Sequence, residues 1–291
     1  MVIHKTRLLL VKRCWSRVVA AAHTAISNLK SFSTMIDCHC HLVDKKFKND
    51  VNEVISRAQA AGIQKAVVLP EYPSQFEAVL ELKRSHPNFV VAGIGVHPIQ
   101  KRNKSVRMDH ILAVEGTLAN HQEEIGCIGE VGLDFTTDLF KVSEEDRLVQ
   151  ERVFRQHIHW AREYDLALNC HSRTAEEDTI RILMDEGCPR ALLHAYGGPV
   201  GLAVRAAEAG LFFSIPPCFS LLEKGRILVE ALPLSQLVLE TDSPVLGVER
   251  GVRNEPANCL ISAEFIAKVK GIVLEEVKEV TTENARRLFD L

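Results

Sequence analysis

A chain of 291 residues, 46% hydrophobic and 25% charged, is long enough to bury a complete core as one large α/β barrel or as two small domains. A formal net charge of -3 argues against a long basic groove wrapping duplex nucleic acid, and no apolar run approaches the ~20 residues that would span a bilayer. Eight cysteines are too sparse for a disulfide scaffold; Cys38, Cys40, Cys127 and Cys170 sit in apolar runs and read as small buried hydrophobes of a reducing compartment.

Residues 1–34 carry Lys5, Arg7, Lys12, Arg13, Arg17 and Lys30 and no acidic residue, so the rest of the chain is more acidic than the whole. The mixture of Arg, Ser and apolar residues reads as a transit peptide or a dispensable leader outside the fold. The first reading implies mitochondria and the second the nucleus or cytoplasm. From Met35 onward, short apolar runs alternate with amphipathic ones. Strands are expected at 35–41, 65–70, 89–96, 126–133, 166–171, 191–196, 211–216 and 237–242, each rich in Val, Ile, Leu or Phe and followed by polar or turn residues. Helices fit about 48–62, 74–86, 106–121, 144–164, 175–186, 199–209, 219–230 and 257–269, with a final one about 274–289 closing the chain. Near-continuous apolar strands imply burial on both faces, as in a parallel sheet. Eight strand–helix units make a single-domain (β/α)₈ TIM barrel over 35–291, a size this fold commonly has. An open doubly wound sheet is the alternative, but no Gly-rich dinucleotide loop follows the first strand.

The chemistry-bearing residues fall at strand ends. His39 and His41 close the first strand, where alternation puts Asp37, His39 and His41 on one face and Cys38 and Cys40 on the other. Glu130 ends the fourth strand, His171 the fifth, His194 the sixth and Asp242 the eighth. A charged group ending an apolar strand is costly to desolvate unless paired or bound to metal, and all ends of a parallel barrel share one rim, where such enzymes carry their active sites. Four histidines, a glutamate and an aspartate are too many for one tetrahedral zinc and suit two divalent ions sharing a carboxylate. In that arrangement His39, His41 and Asp242 hold one ion, His171 and His194 the other, and Glu130 bridges.

The runs Ile36-Asp37-Cys38-His39-Cys40-His41-Leu42, Gly95-Val96-His97-Pro98 and Gly129-Glu130-Val131-Gly132-Leu133-Asp134 resemble the TatD-type deoxyribonucleases of the amidohydrolase superfamily. So do Cys170-His171-Ser172-Arg173, Leu193-His194-Ala195-Tyr196, Glu240-Thr241-Asp242-Ser243-Pro244 and Arg253-Asn254-Glu255-Pro256-Ala257-Asn258, in register over nearly all of 35–291. The resemblance implies that the same six residues are the ligands, with Mg²⁺ or Mn²⁺ as working ions and zinc in some members. It implies a 3′–5′ exonuclease on single-stranded DNA, with incision at abasic sites in some members; apart from the resemblance, a monomer with no membrane partner is expected. Asp242 is the candidate to accept the attacking water's proton. His97, Arg173 and Arg253 are candidates for phosphate contact, a guanidinium fork matching that geometry. Glu240, Asp134 and Asp37 lie deeper and are candidates to orient ligands. The rival readings are a hydrolase of a small amide, lactone or phosphoester on the same scaffold, and a non-enzymatic binding protein.

Overall fold

The structure is a computed structural model that describes residues 34–137, 141–188 and 190–291. Residues 1–33, most of the expected leader, lie outside them; Thr34 is joined to the fold, its carbonyl accepting from the Thr282 hydroxyl at 2.6 Å. Among the described residues no helix is long and apolar enough to cross a membrane.

The strands are β1 (Met35–Cys40), β2 (Ile63–Val68), β3 (Val90–Ile94), β4 (Ile99–Gln100), β5 (Lys104–Ser105), β6 (Ile125–Asp134), β7 (Ala167–Arg173), β8 (Ala191–Leu193), β9 (Phe212–Ile215) and β10 (Leu237–Leu239). The helices are α1 (Val51–Ala60), α2 (Phe76–Ser85), α3 (Ile111–His121), α4 (Glu144–Glu163), α5 (Glu176–Asp185), α6 (Val200–Glu208), α7 (Glu223–Ala231), α8 (Cys259–Lys270) and α9 (Leu274–Phe289). Eight strands form one sheet in the order β1-β2-β3-β6-β7-β8-β9-β10, every neighbouring pair parallel. The two edges meet: Asp242 N donates to His39 O and His41 N to Ser243 O, both at 2.8 Å. Asp37 adds a side-chain clasp, accepting from the Thr241 backbone N–H at 2.9 Å and its hydroxyl at 2.5 Å. The expected TIM barrel is therefore the observed fold.

Alternation along the strands sorts the core into two layers. Outward residues such as Val68, Ala92, Leu168 and Leu193 pack beneath the helices. Inward residues, among them Ile36, Val67, Val91, Cys127, Leu192, Phe212 and Val238, fill the barrel, and Ala285, Leu288 and Phe289 of α9 join that inner cluster. The closing helix thus plugs one end of the barrel from below, opposite the rim reached by the strand ends. Gly132 lets β6 pass close to β7: it sits at φ +143°, and a Cβ there would lie 2.0 Å from the His171 carbonyl oxygen.

Two stretches differ from the sequence reading. The helix expected from 106 begins only at Ile111: Val106 N still bonds Pro98 O at 2.8 Å behind the antiparallel hairpin β4–β5, and a 3₁₀ turn over Met108–His110 follows. Gln100 fastens it, its amide donating to Glu71 O at 3.1 Å and His97 O at 2.8 Å. The helix expected from 219 begins at Glu223, after a 3₁₀ turn over Pro217–Leu221. The apolar residues of both stretches are buried as a helix would bury them (Val106 and Phe219 are 1% and 4% exposed), so their polarity alone could not distinguish helix from turn.

Phe289→Ala should empty part of the plug and lower stability by about 3–5 kcal/mol. The shift of a urea unfolding midpoint measures this; a change below about 1 kcal/mol would mean that α9 does not seal the core.

Candidate metal centre

The barrel mouth brings His39, His41, His97, Glu130, His171, His194 and Asp242 together. Their backbones reach it by different routes. His171, two residues beyond the inward Asn169, arrives by plain alternation. His194 follows the last residue of β8, and Asp242 lies three residues past β10 at φ +52°. His39 and Glu130 depend on irregularities. Cys38 packs inside the barrel and Cys40 outside it, so the two cysteines do not share a face as alternation requires. The β1–β2 register shifts between Asp37 and Cys40, and the β6–β7 register shifts between Gly129 and Val131. Each shift re-aims one side chain, as β-bulges commonly do beside active sites.

The resulting donors form two groups around one carboxylate. His39 Nε2 and His41 Nε2 are 3.3 Å apart and lie 3.6 and 3.3 Å from Asp242 Oδ1. The same nitrogens lie 3.7 and 3.4 Å from Glu130 Oε2. On the other side, Glu130 Oε1 is 3.0 Å from His171 Nδ1, 2.9 Å from His194 Nε2 and 3.6 Å from His97 Nε2. Ligands at about 2.0–2.2 Å around a tetrahedral ion sit about 3.3–3.6 Å apart, so the first group has the spacing of a metal site. Imidazole and carboxylate donors without thiolate could hold a divalent cation.

Apart from His194 Nδ1, the remaining ring nitrogens are committed elsewhere. His41 Nδ1 donates to Leu69 O at 3.0 Å. His39 Nδ1 donates to Asn169 Oδ1 at 2.7 Å, and the Asn169 amide donates in turn to Cys38 O at 2.8 Å, which settles the amide's orientation. His171 Nε2 meets Asp134 Oδ2 at 3.2 Å. The buried His194 Nδ1 has no hydrogen-bond partner; Glu240 Oε2 stands 3.8 Å away, accepting from the Ser214 hydroxyl at 2.6 Å, while Glu240 Oε1 accepts from Ala195 N at 2.9 Å. Backing of this kind fixes tautomers and leaves the other nitrogen for a cation.

Electrostatics divides the histidines. Burial, reinforced by His194, pushes His39 down to about 3, and burial pushes His97 down to about 4. For His41, burial is outweighed by Asp242 and Glu130, which raise it to about 10. For His171 the same opposition, with Asp134 and Glu130 prevailing, gives about 9. Those two imidazolium charges balance the buried carboxylates, and an incoming cation would displace their protons.

The candidate phosphate contacts separate. His97 and Arg173 line the 340 Å³ cavity over the cluster, with Arg173 bound to Asp134 Oδ2 through Nε at 2.9 Å and a terminal nitrogen at 2.6 Å. Arg253 is not brought there: its guanidinium is bound to Asp50 at 2.8 and 2.6 Å, Glu255 at 2.8 Å and Lys46 O at 2.7 Å. It braces the loop after β10. Asp37 orients no histidine ring and serves the barrel seam instead. Asn169 was missed in the sequence, although an amide amid the apolar run Ala167-Leu168-Asn169-Cys170 has to find buried partners.

A parallel barrel whose mouth gathers histidines and carboxylates in this way has the architecture of the metal-dependent hydrolases. The family model described as "TatD related DNase" matches residues 36–290. The chain is 40% identical over 259 residues to the human deoxyribonuclease TATDN3, covering 88% of this chain and 94% of the relative. It is 33% identical over 261 residues to the uncharacterized metal-dependent hydrolase YabD of Bacillus subtilis, covering 88% and 98%. Among solved structures, YjjV, a TatD homolog from Escherichia coli, superposes with a TM-score of 0.79 at 24% identity, covering 88% of this chain and 98% of that one. The chain belongs to the TatD-related DNase family, and it is a hydrolase acting on ester bonds.

Asn169→Ala should free the His39 ring and weaken divalent-cation affinity about 10–100-fold, read by calorimetry with Mn²⁺; unchanged affinity would remove Asn169 from the site's support. Because His41 and His171 must lose protons to accept a cation, affinity should climb as pH rises from neutrality toward their raised values. Proton release, read from the buffer dependence of the binding enthalpy, should accompany it; binding that is flat in pH would refute the assignment.

Proposed function

We propose that the chain cleaves DNA phosphodiester bonds, acting as a 3′–5′ exonuclease on single-stranded ends and incising at abasic sites. Two divalent ions, Mg²⁺ or Mn²⁺ with zinc as the substitute, would be held by His39, His41 and Asp242 on one side and by His171 and His194 on the other. The observation that carries this reading is the division of Glu130: one oxygen faces His39 and His41, the other His171 and His194. When bound, such ions lower the pKa of a water and neutralise charge building on the phosphate.

The chain's own groups supply the rest. Asp242, held below the usual carboxylate range because His41, His39 and His194 outweigh its burial, is ionised and able to take the attacking water's proton. His97 keeps a neutral ring at the cavity wall, its Nδ1 held at 2.9 Å by Ile99, and its Nε2, 3.6 Å from Glu130 Oε1, would turn from that carboxylate to a phosphate oxygen. Arg173 stands at the same wall with its Nε and a terminal nitrogen on Asp134 Oδ2, which positions the guanidinium for a non-bridging oxygen. A small-phosphoester hydrolase is the second reading, since the cavity over the cluster is only 340 Å³.

With Mn²⁺ or Mg²⁺, residues 34–291 should shorten 5′-labelled single-stranded DNA stepwise from its 3′ end, and Glu130→Ala should lower the rate about 10²–10³-fold or more. Cation binding without cleavage of any DNA, alongside turnover of a small phosphoester, would transfer the assignment to the second reading.

A further inference from the structure

Beside the metal cavity lies a larger one of 930 Å³, near the top of the range of about 300–1,000 Å³ that small-ligand pockets span. It runs between the loop after β1, α1 and α2, and shares Asp44, Glu71 and Tyr72 with the metal cavity as common wall. Its floor is apolar, with Leu42, Val43, Val51 and Leu82 in the lining. Tyr72 stands half-buried at the junction, with Lys101 Nζ 5.3 Å from its ring centre and tied to Ser74 Oγ at 2.7 Å.

Cations surround the junction. Lys45, Lys48 and Lys101 line the large cavity; Lys46 and Arg102 line the smaller one. Lys101 and Arg102 are carried on the tip of the β4–β5 hairpin, where Arg102 and Asn103 both take positive φ, 63° and 57°. Two successive non-glycine residues in that region are uncommon, and they turn this tip back over the cavity mouth. Asp44, Glu71 and Glu81 also line the large cavity, so its charge is nearly balanced. A balanced, apolar-floored groove with one aromatic at its junction recognises flat faces better than a run of phosphates. Double-stranded DNA keeps those faces stacked inside; a single strand offers them.

Resting on the nuclease reading, we infer that this groove receives the unstacked bases of a single DNA strand next to the cleaved phosphate, with Tyr72 as the stacking platform and Lys101 and Arg102 guiding the backbone. Tyr72 is then a specificity residue: it selects single strands without touching the reacting atoms. Stacking on one aromatic contributes about 1–3 kcal/mol per base, whereas each neutralised phosphate of a single strand adds about 0.7 to the salt slope.

The test uses a fluorescein-labelled single-stranded oligonucleotide with cleavage-resistant phosphorothioate linkages, titrated by anisotropy in Mn²⁺ with the protein, Tyr72→Ala, Tyr72→Phe and Lys101→Gln. Tyr72→Ala should weaken binding about 5- to 150-fold, the fold-change equivalent to that stacking range. Tyr72→Phe, which keeps the ring, should stay within about twofold, and Lys101→Gln should flatten the salt dependence by about 0.7. Calorimetry with Mn²⁺ alone should read the same for all four, showing that the metal centre is intact. A parent that cleaves DNA while Tyr72→Ala binds and cleaves identically overturns the groove and leaves the nuclease reading standing. A parent that neither binds nor cleaves single strands overturns both.

Discussion

Seven titratable side chains at the mouth of the barrel are almost withdrawn from water, and none is tolerable there alone. Glu130 makes them tolerable together, because its two oxygens are shared among five imidazoles. The mutual dependence extends outward. Leu69 O, Asn169 and Asp134 each hold the far side of one ring, and Glu240 stands behind a fourth. These partners sit on β7 and β6, next to β10 and just beyond β2, so the whole barrel acts as the frame that keeps the donors at cation-binding separations.

That frame explains why substitutions behind the rings are expected to act on metal affinity before they act on chemistry. Asn169 illustrates the coupling. One amide both orients the His39 ring and pins the Cys38 carbonyl at the irregular part of β1. The backbone distortion and the side-chain geometry that it makes possible are therefore held by the same residue.

Much of this was legible in the amino-acid pattern. Eight apolar runs separated by amphipathic stretches suffice for a parallel barrel, and six polar residues at strand ends suffice for a shared rim. The rest depends on interactions that have no local signature. Strict alternation assigns Cys38 and Cys40 to one face, whereas the register shift in β1 separates them. Arg253 occurs in a family motif, yet its partners Asp50 and Lys46 lie some two hundred residues earlier, and only the folded chain brings them within reach. Hairpin β4–β5 was hidden because each of its strands is two residues long, too short to carry an alternation pattern.

The inner cluster has a further consequence for how the protein is made. Its contributors Leu288 and Phe289 come from α9, the last element of the barrel, and β1, the first, is clasped to the segment after β10. During synthesis the strands emerge in order, but the seam waits for the segment after β10 and the plug waits for α9. A growing chain therefore carries an unsealed, apolar-lined sheet until both of those late segments have joined it.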